Sequence, residues 1–373
     1  NWGVMPFAAK TLAAPAGYDG ASFPRCIVAL GLTQDRFNLQ RLVTRLPAQV
    51  PDAEGNLVKW MSWSEAFEKV KENPKPILMD FYTDWCGWCK VMMKNTYGNP
   101  GIAQYVNTYF YPVKFNAEGK DTVEYLGKKY LPTSKEPRTP HELAVHLLQG
   151  KLMYPTTLFL GGYDKEKNEF KLNMLASGYL DQAKIEPILV YTVENVYRNS
   201  SMDDFRDEYT KAFYDSVFAK RKDSVNWVTA KSAFASSLPK KKKTLLYLNT
   251  DWCNACKVMK KTSFNDSLYA DYVKEKFELV NFNVDLTDTI FYKGQALTNL
   301  KSPQAPFHQL ALLLSRNGFA LPTMVILDEY MDVIDAIPAY IPPRFMNNIV
   351  HYYGDGINKL KSWQAYMDEK SKK

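Results

Sequence analysis

The sequence predicts an α/β protein made of two tandem copies of one fold. Three observations carry that prediction. A Trp-Cys-x-x-Cys-Lys motif occurs twice, as Trp85-Cys86-Gly87-Trp88-Cys89-Lys90 and as Trp252-Cys253-Asn254-Ala255-Cys256-Lys257. Each motif is followed by a Pro-Thr step, at Pro155 and at Pro322, and the spacing from first cysteine to proline is 69 residues in both (155 − 86 and 322 − 253). Around these landmarks, short apolar β runs alternate with helical patterns, which argues for a central sheet covered by helices.

The repeat extends well beyond the cysteines. Cys253 lies 167 residues after Cys86 (253 − 86), and the same shift relates Trp60 to Trp227, Ala66-Phe67 to Ala233-Phe234, Tyr105-Val106 to Tyr272-Val273, Phe115-Asn116 to Phe282-Asn283 and His141 to His308. After the prolines the shift falls to 161, with Tyr179 answering to Tyr340 and Asp207-Glu208 to Asp368-Glu369. The first copy therefore holds six more residues (167 − 161) beyond its proline, and the polar run from Gly161 to Asn168 is the expected site of a longer hairpin loop. The organisation expected is an N-terminal extension over 1–51, a first domain over 52–212, a linker over 213–218 and a second domain over 219–373.

Within the first domain, Leu57-Val58-Lys59-Trp60 reads as a short strand. Ser62 reads as a helix N-cap with Glu65 three residues on, a capping box, and the helix runs to Lys71. Pro76 to Tyr82 reads as a buried strand that leads straight into the first CxxC, so Cys86 opens the next helix, to about Asn95. Tyr111 to Asn116 and Thr156 to Leu160 are further strands. In the long stretch between Glu118 and Pro155, Thr139 reads as an N-cap, Pro140 as the first helical position and Glu142 as the acid three after the cap, for a helix through Gln149. His141 at that helix start, like His308 in the second copy, is read as a packing or hydrogen-bonding residue rather than a catalytic base. Residues 1–51 have no counterpart in the second copy. They are rich in Ala, Pro and Gly and then offer one amphipathic stretch, Asp35 to Leu46; a docking arm is expected there, with Cys26 a free or buried thiol.

Composition narrows the classes. Each copy is large enough to bury a core without cross-links. No run of 18 or more apolar residues occurs, so no membrane-spanning helix is expected. The net charge of +7 is mild, and the run Lys240 to Lys243 falls in a helix-to-strand loop, so it is read as solvated and not as a nucleic-acid or lipid site. Four of the five cysteines lie in the two motifs, which excludes a disulfide framework of the small secreted kind. A start at Asn1 rather than Met suggests a removed leader.

The motif chemistry is thiol–disulfide exchange. The thiolate, not the thiol, is the nucleophile, and a cysteine at a helix N-terminus has its pKa lowered by exposed N–H groups and the helix dipole. Cys86 and Cys253 take that position. Cys89 and Cys256 lie nearly one turn along, within disulfide range and more buried, as resolving thiols. No cofactor is expected beyond these two redox-active disulfides, Cys86–Cys89 and Cys253–Cys256. A four-thiolate zinc site is the rival for two CxxC pairs, but it leaves the strand before and the Pro-Thr after each pair unexplained.

Both copies resemble the thioredoxin superfamily, over roughly 52–212 and 219–373. The resemblance implies two tandem thioredoxin-like folds, each with a helical insertion before the proline strand. It implies that Pro155 and Pro322 are cis and offer a backbone edge to substrate. It also implies a buried carboxylate six residues before the first cysteine, as proton acceptor for the resolving thiol. Asp80 fits, and Lys114 fits the lysine that accompanies it from the next strand. The second copy departs here, with Tyr247 and Asn281 at those places. The function expected is a thiol–disulfide oxidoreductase acting on protein disulfides or exchanging with a redox donor protein, with the first copy the more active. The alternative is a non-enzymatic tandem scaffold in an extracytoplasmic assembly. A bacterial periplasmic location is expected, with a cytoplasmic one as the alternative.

Overall fold

The computed structural model describes residues 51–372 except 53–54, 220–222, 303–305 and 317–318. Most of the N-terminal extension, with Cys26 and the Asp35–Leu46 stretch, lies outside the described residues. The chain divides into two units, and Arg198 opens the second.

The first unit runs α1 (Trp63–Glu72), β1 (Ile77–Tyr82), α2 (Gly87–Asn95), α3 (Pro100–Tyr109), β2 (Tyr111–Asn116), β3 (Val123–Tyr125), β4 (Lys128–Tyr130), α4 (Glu142–Leu147), β5 (Thr156–Asp164), β6 (Glu169–Ser177) and α5 (Gln182–Val193). Its main sheet has the order β2-β1-β5-β6, with β1 and β2 parallel and β5 antiparallel to both neighbours. β1 is central and buried from Ile77 to Phe81, which is why it reads as an apolar run broken only by Asp80. Its side chains alternate: Ile77, Met79 and Phe81 join a core with Trp63, Val70, Leu143 and Leu158. Leu78 and Asp80 therefore face the other side of the sheet.

The second unit runs α6 (Met202–Phe213), α7 (Ser216–Ala219), β7 (Trp227–Thr229), α8 (Ala230–Ala235), β8 (Lys243–Asn249), α9 (Asn254–Lys261), α10 (Ala270–Lys276), β9 (Phe277–Asn283), β10 (Ile290–Tyr292), β11 (Gln295–Leu297), α11 (Gln309–Leu314), β12 (Thr323–Leu327), β13 (Val333–Ile337), α12 (Pro343–Gly354) and α13 (Trp363–Lys370). Its sheet order is β13-β12-β8-β9-β7. Each insertion before the proline strand holds a short helix, α4 or α11, and also a two-stranded hairpin, β3-β4 or β10-β11.

Four expectations are corrected. Leu57–Trp60 is not a strand; only Met61 bridges to Val113, whereas the second unit forms β7. The Asn107 side chain explains this, since it accepts from Lys59 N at 2.8 Å and donates to Leu57 O at 2.9 Å, occupying groups a ladder needs. The six extra residues lengthen strands rather than a loop: β5 and β6 have nine residues each, against five in β12 and β13. The insertion helix starts two residues late, with His141 as its N-cap. Thr139 instead donates to Glu136 O at 2.7 Å and accepts from Lys120 Nζ at 3.0 Å. Finally, α6 sits in the second unit rather than closing the first. Its buried face of Phe205, Tyr209 and Ala212 is held there by the Phe205–Tyr340 ring contact at 5.1 Å, Arg344–Asp204 at 2.6 Å and Lys261 Nζ donating to Ala212 O at 2.9 Å.

Candidate active site

In each unit the central strand ends in a turn that presents the first cysteine. Cys86 N donates to Thr83 O at 3.1 Å, and Cys253 N donates to Thr250 O at 3.3 Å. Each cysteine is then the N-cap of the following helix: Cys86 Sγ accepts from Cys89 N and Cys253 Sγ accepts from Cys256 N, both at 3.1 Å. The sulfur thus takes the place that a Ser or Asp oxygen holds at an ordinary helix start, where backbone donors favour negative charge. Cys86–Cys89 and Cys253–Cys256 are disulfides, with Cα separations of 5.3 and 5.2 Å. The Tyr154–Pro155 and Leu321–Pro322 bonds are cis. After each, the threonine hydroxyl donates to the carbonyl three residues back, Thr156 to Met153 O and Thr323 to Ala320 O.

The rim differs between units. Trp85 and Trp88 are 55% and 62% exposed, and their rings lie 6.3 Å from Tyr154 and 5.6 Å from Tyr179. In the second unit, Asn254 and Ala255 are buried. One rim device is shared: Trp85 Nε1 donates to Glu118 at 3.0 Å and Trp252 Nε1 to Asp285 at 2.8 Å.

Beneath the first motif sits a buried polar cluster. Asp80 Oδ1 accepts from Thr157 Oγ1 at 3.3 Å and from Tyr97 OH at 3.4 Å, and the two hydroxyls lie 3.2 Å apart. Burial pushes the Asp80 pKa up to about 7, against the opposing pull of Thr157, Tyr97 and the Lys114 charge. Lys114 pairs with Asp80 in the β1–β2 register, as expected. Its ammonium, however, stands 5.0 Å over the Tyr82 ring, and it forms no ion pair with Asp80 among the described residues.

The second unit holds other groups at each of these places. Tyr247 stands at the Asp80 position, and its hydroxyl donates to Cys256 O at 2.8 Å. Asn281, opposite it, accepts from Asn249 Nδ2 at 2.8 Å. At the shift of 167, Phe264 answers to Tyr97 and Met324 to Thr157. Sequence reasoning missed Tyr97 and Thr157, although these two polar-to-apolar differences between the copies were visible. It also missed Glu118 and Asp285, an acid kept at the same phase.

The histidines are struts. Nδ1 of His141 accepts from Leu143 N at 3.0 Å, and Nδ1 of His308 accepts from Leu310 N at 3.1 Å. Nε2 of each therefore carries the proton and donates at 2.8 Å to Asp121 O and Asp288 O. In the lysine run, Lys240 pairs with Glu278 at 2.7 Å, while Lys242 and Lys243 donate to Lys274 O and Tyr353 O.

Comparison with known proteins finds similarity around both motifs. A family named Thioredox_DsbH, described as a protein of unknown function (DUF255), matches residues 40–176, and the Thioredoxin_2 family, a thioredoxin-like domain, matches 230–354. An uncharacterised protein of Caenorhabditis elegans is 34% identical over 80 residues, 21% of this chain and 11% of that protein. Spermatogenesis-associated protein 20 of Rattus norvegicus is 33% identical over 70 residues, 18% and 9% of the two chains. The matched segments thus span about a tenth of the length of these relatives. Among solved structures, a thioredoxin from Thermus thermophilus is 14% identical, with a TM-score of 0.27 over 35% of this chain and 84% of that one. A DsbH oxidoreductase is 18% identical, with a TM-score of 0.26 over 39% and 87%. No helix among the described residues is long and apolar enough to cross a membrane. With one matching domain on each CxxC motif, the chain belongs to the thioredoxin superfamily and carries two thioredoxin-like regions.

Proposed function

We propose that this protein is a thiol–disulfide oxidoreductase acting on protein disulfides, and that the first unit does most of the turnover. The observation that carries this reading is a pairing found in one unit. A disulfide whose first sulfur caps a helix lies at the end of β1, and the same strand carries a buried carboxyl with a pKa of about 7.

In the reducing direction, the Cys86 thiolate attacks one sulfur of a client disulfide. A mixed disulfide forms and one client thiolate leaves. The Cys89 thiol loses its proton to Asp80, and its sulfur attacks Cys86 Sγ. The mixed disulfide breaks, Cys86–Cys89 forms, and the second client thiolate departs and takes up a proton. Two electrons pass from the cysteine pair to the client, and a redox donor protein returns them by the reverse exchange.

The test is turnover of insulin disulfides with a chemical dithiol as donor, together with trapping. Cys89→Ser should accumulate mixed disulfides through Cys86, and Cys86→Ser should not. Equal trapping by both variants overturns the assignment of roles.

A further inference from the structure

We infer that Tyr97 and Thr157 are positioning residues that hold the Asp80 carboxyl as the proton acceptor of the resolving step. This rests on the reading of Asp80 given above and extends it to two residues with no assigned role. The geometry is a triangle of oxygens. Asp80 Oδ1, Tyr97 OH and Thr157 Oγ1 lie 3.2 to 3.4 Å from one another. Tyr97 and Thr157 are 1% and 0% exposed and Asp80 is 2% exposed, so water cannot substitute for either hydroxyl.

Proton counting shows what the triangle does. With Asp80 ionised, the two hydroxyl protons both point at Oδ1, and the Tyr97–Thr157 edge carries none. With Asp80 protonated on Oδ2, the same two donors face a neutral carbonyl oxygen, and both bonds weaken. The cluster therefore favours the carboxylate, and it opposes burial, which favours the acid. The charged or titratable groups acting on Asp80 are Tyr97, from the turn after α2, and Lys114, from β2; β5 contributes only Thr157. The Tyr97 phenol stays neutral, because burial and the Asp80 charge hold its pKa well above the ordinary value. The cysteines, joined as a disulfide, carry no charge.

The second unit keeps the frame and lacks the hydroxyl. Tyr97 is held edge-on to Trp60, with centroids 4.9 Å apart and planes at 89°. Phe264 meets Trp227 in the same way, at 5.0 Å and 79°. The aromatic contact is thus maintained with or without the phenol oxygen, and packing alone does not call for Tyr97.

The test uses the full chain with Tyr97→Phe, Thr157→Val and Thr157→Ser. Two readouts are taken over pH 5–9: the Asp80 carboxyl titration in the oxidised protein by carbon NMR, and single-turnover reduction of insulin disulfides by the reduced protein. Tyr97→Phe should move both midpoints up by about one pH unit, with a rate at pH 7 lower by about fivefold and recovered at high pH. Thr157→Val should shift them the same way, and Thr157→Ser, which keeps the hydroxyl, should not. A carboxyl midpoint unmoved by both Tyr97→Phe and Thr157→Val overturns the inference. A carboxyl midpoint that moves while the rate profile stays put leaves the hydroxyl clamp standing and removes Asp80 as the base. If Tyr97→Phe fails to fold, the Thr157→Val and Thr157→Ser pair decides alone.

Discussion

In the first unit the central strand places a carboxyl at Asp80; in the second, the equivalent strand places a phenol at Tyr247. The surroundings follow that choice. Asp80 is met by two hydroxyls and the field of Lys114, whereas Tyr247 packs its ring 4.9 Å from Phe264 and donates to the Cys256 carbonyl. A buried carboxylate is costly and needs donors around it, while a buried phenol needs one acceptor and is otherwise apolar. The second unit therefore holds a strut tying β8 to α9 where the first holds a titrating group. Everything that carries the disulfide is kept in both: the turn, the sulfur at the helix start, the cis proline and the indole-to-carboxylate bond. On the proposed function, holding a disulfide and moving a proton are separable tasks, and the two units separate them.

The comparison breaks most visibly at the cysteines. Replacing Cys86 and Cys89 by Ser should remove insulin reduction by about a hundredfold or more, and replacing Cys253 and Cys256 should leave most of it. Equal losses from both double variants would make the carboxyl irrelevant to the division of labour.

Asp80→Asn comes next. At pH 7 the resolving step should slow by about a hundredfold and lose its midpoint near 7. Stability should change in the opposite sense. The folded-state pKa is raised above the ordinary 3.8, so the unfolded chain ionises first as pH rises. Wild-type stability is fully present below pH 4 and is lost as pH rises through about 7, by about 4 kcal/mol in all. Asp80→Asn lacks this loss. Denaturant midpoints at pH 4 and pH 8 check it: the variant should gain on the wild type only at the higher pH.

A rebuilt second site sharpens the comparison. Tyr247→Asp, Phe264→Tyr and Met324→Thr together, in a chain with Cys86 and Cys89 replaced by Ser, restore the triangle residue for residue. The expected result is a resolving rate about tenfold higher at pH 8 and a new rate midpoint, at lower thermal stability. A rate unchanged in a folded variant would place the difference between the units elsewhere, at the exposed Trp85 and Trp88 rim.

The cysteines were legible in the sequence as a local motif, while Asp80 and the cis prolines followed from the resemblance to thioredoxins, which places the carboxyl by its distance from Cys86. Asp80 and Cys86 share a strand–turn–helix, so six residues of spacing determine their relation. Tyr97 and Thr157 were not legible that way. They reach Asp80 across 17 and 77 residues of chain, through the end of a helix and a neighbouring strand. Local spacing also misplaced the cap of α4. Thr139 has a favourable residue type for the role, but Lys120 and the carbonyls at 134 and 136 engage its hydroxyl first. The strand expected at Leu57–Trp60 was lost to a side chain 50 residues away, Asn107. In both of these places a side-chain hydrogen bond overrode a sound local preference.

The smallest effects belong to His141 and His308, which the units share and which stand apart from the disulfides. Each imidazole accepts a backbone N–H at its own helix start and donates to a carbonyl 20 residues earlier, pinning the insertion to the strand end. Replacing either by Ala removes a cap and leaves a carbonyl without its donor, at a cost of about 1–2 kcal/mol in denaturant midpoint, similar in the two units. Turnover of insulin disulfides should stay within about twofold if the rings serve only as struts. The pH dependence is signed. Burial lowers the His308 pKa below 6.5, and protonating Nδ1 would break its bond from Leu310 N. The unfolded chain therefore binds the proton more readily than the folded one. The His308 contribution is present above about pH 6.5 and is lost as pH falls below it. His308→Ala should then differ most from wild type at pH 8 and least at pH 5. A twentyfold fall in turnover on either replacement, with folding intact, would instead put a histidine in the chemistry and remove the distinction between kept struts and divergent proton handling.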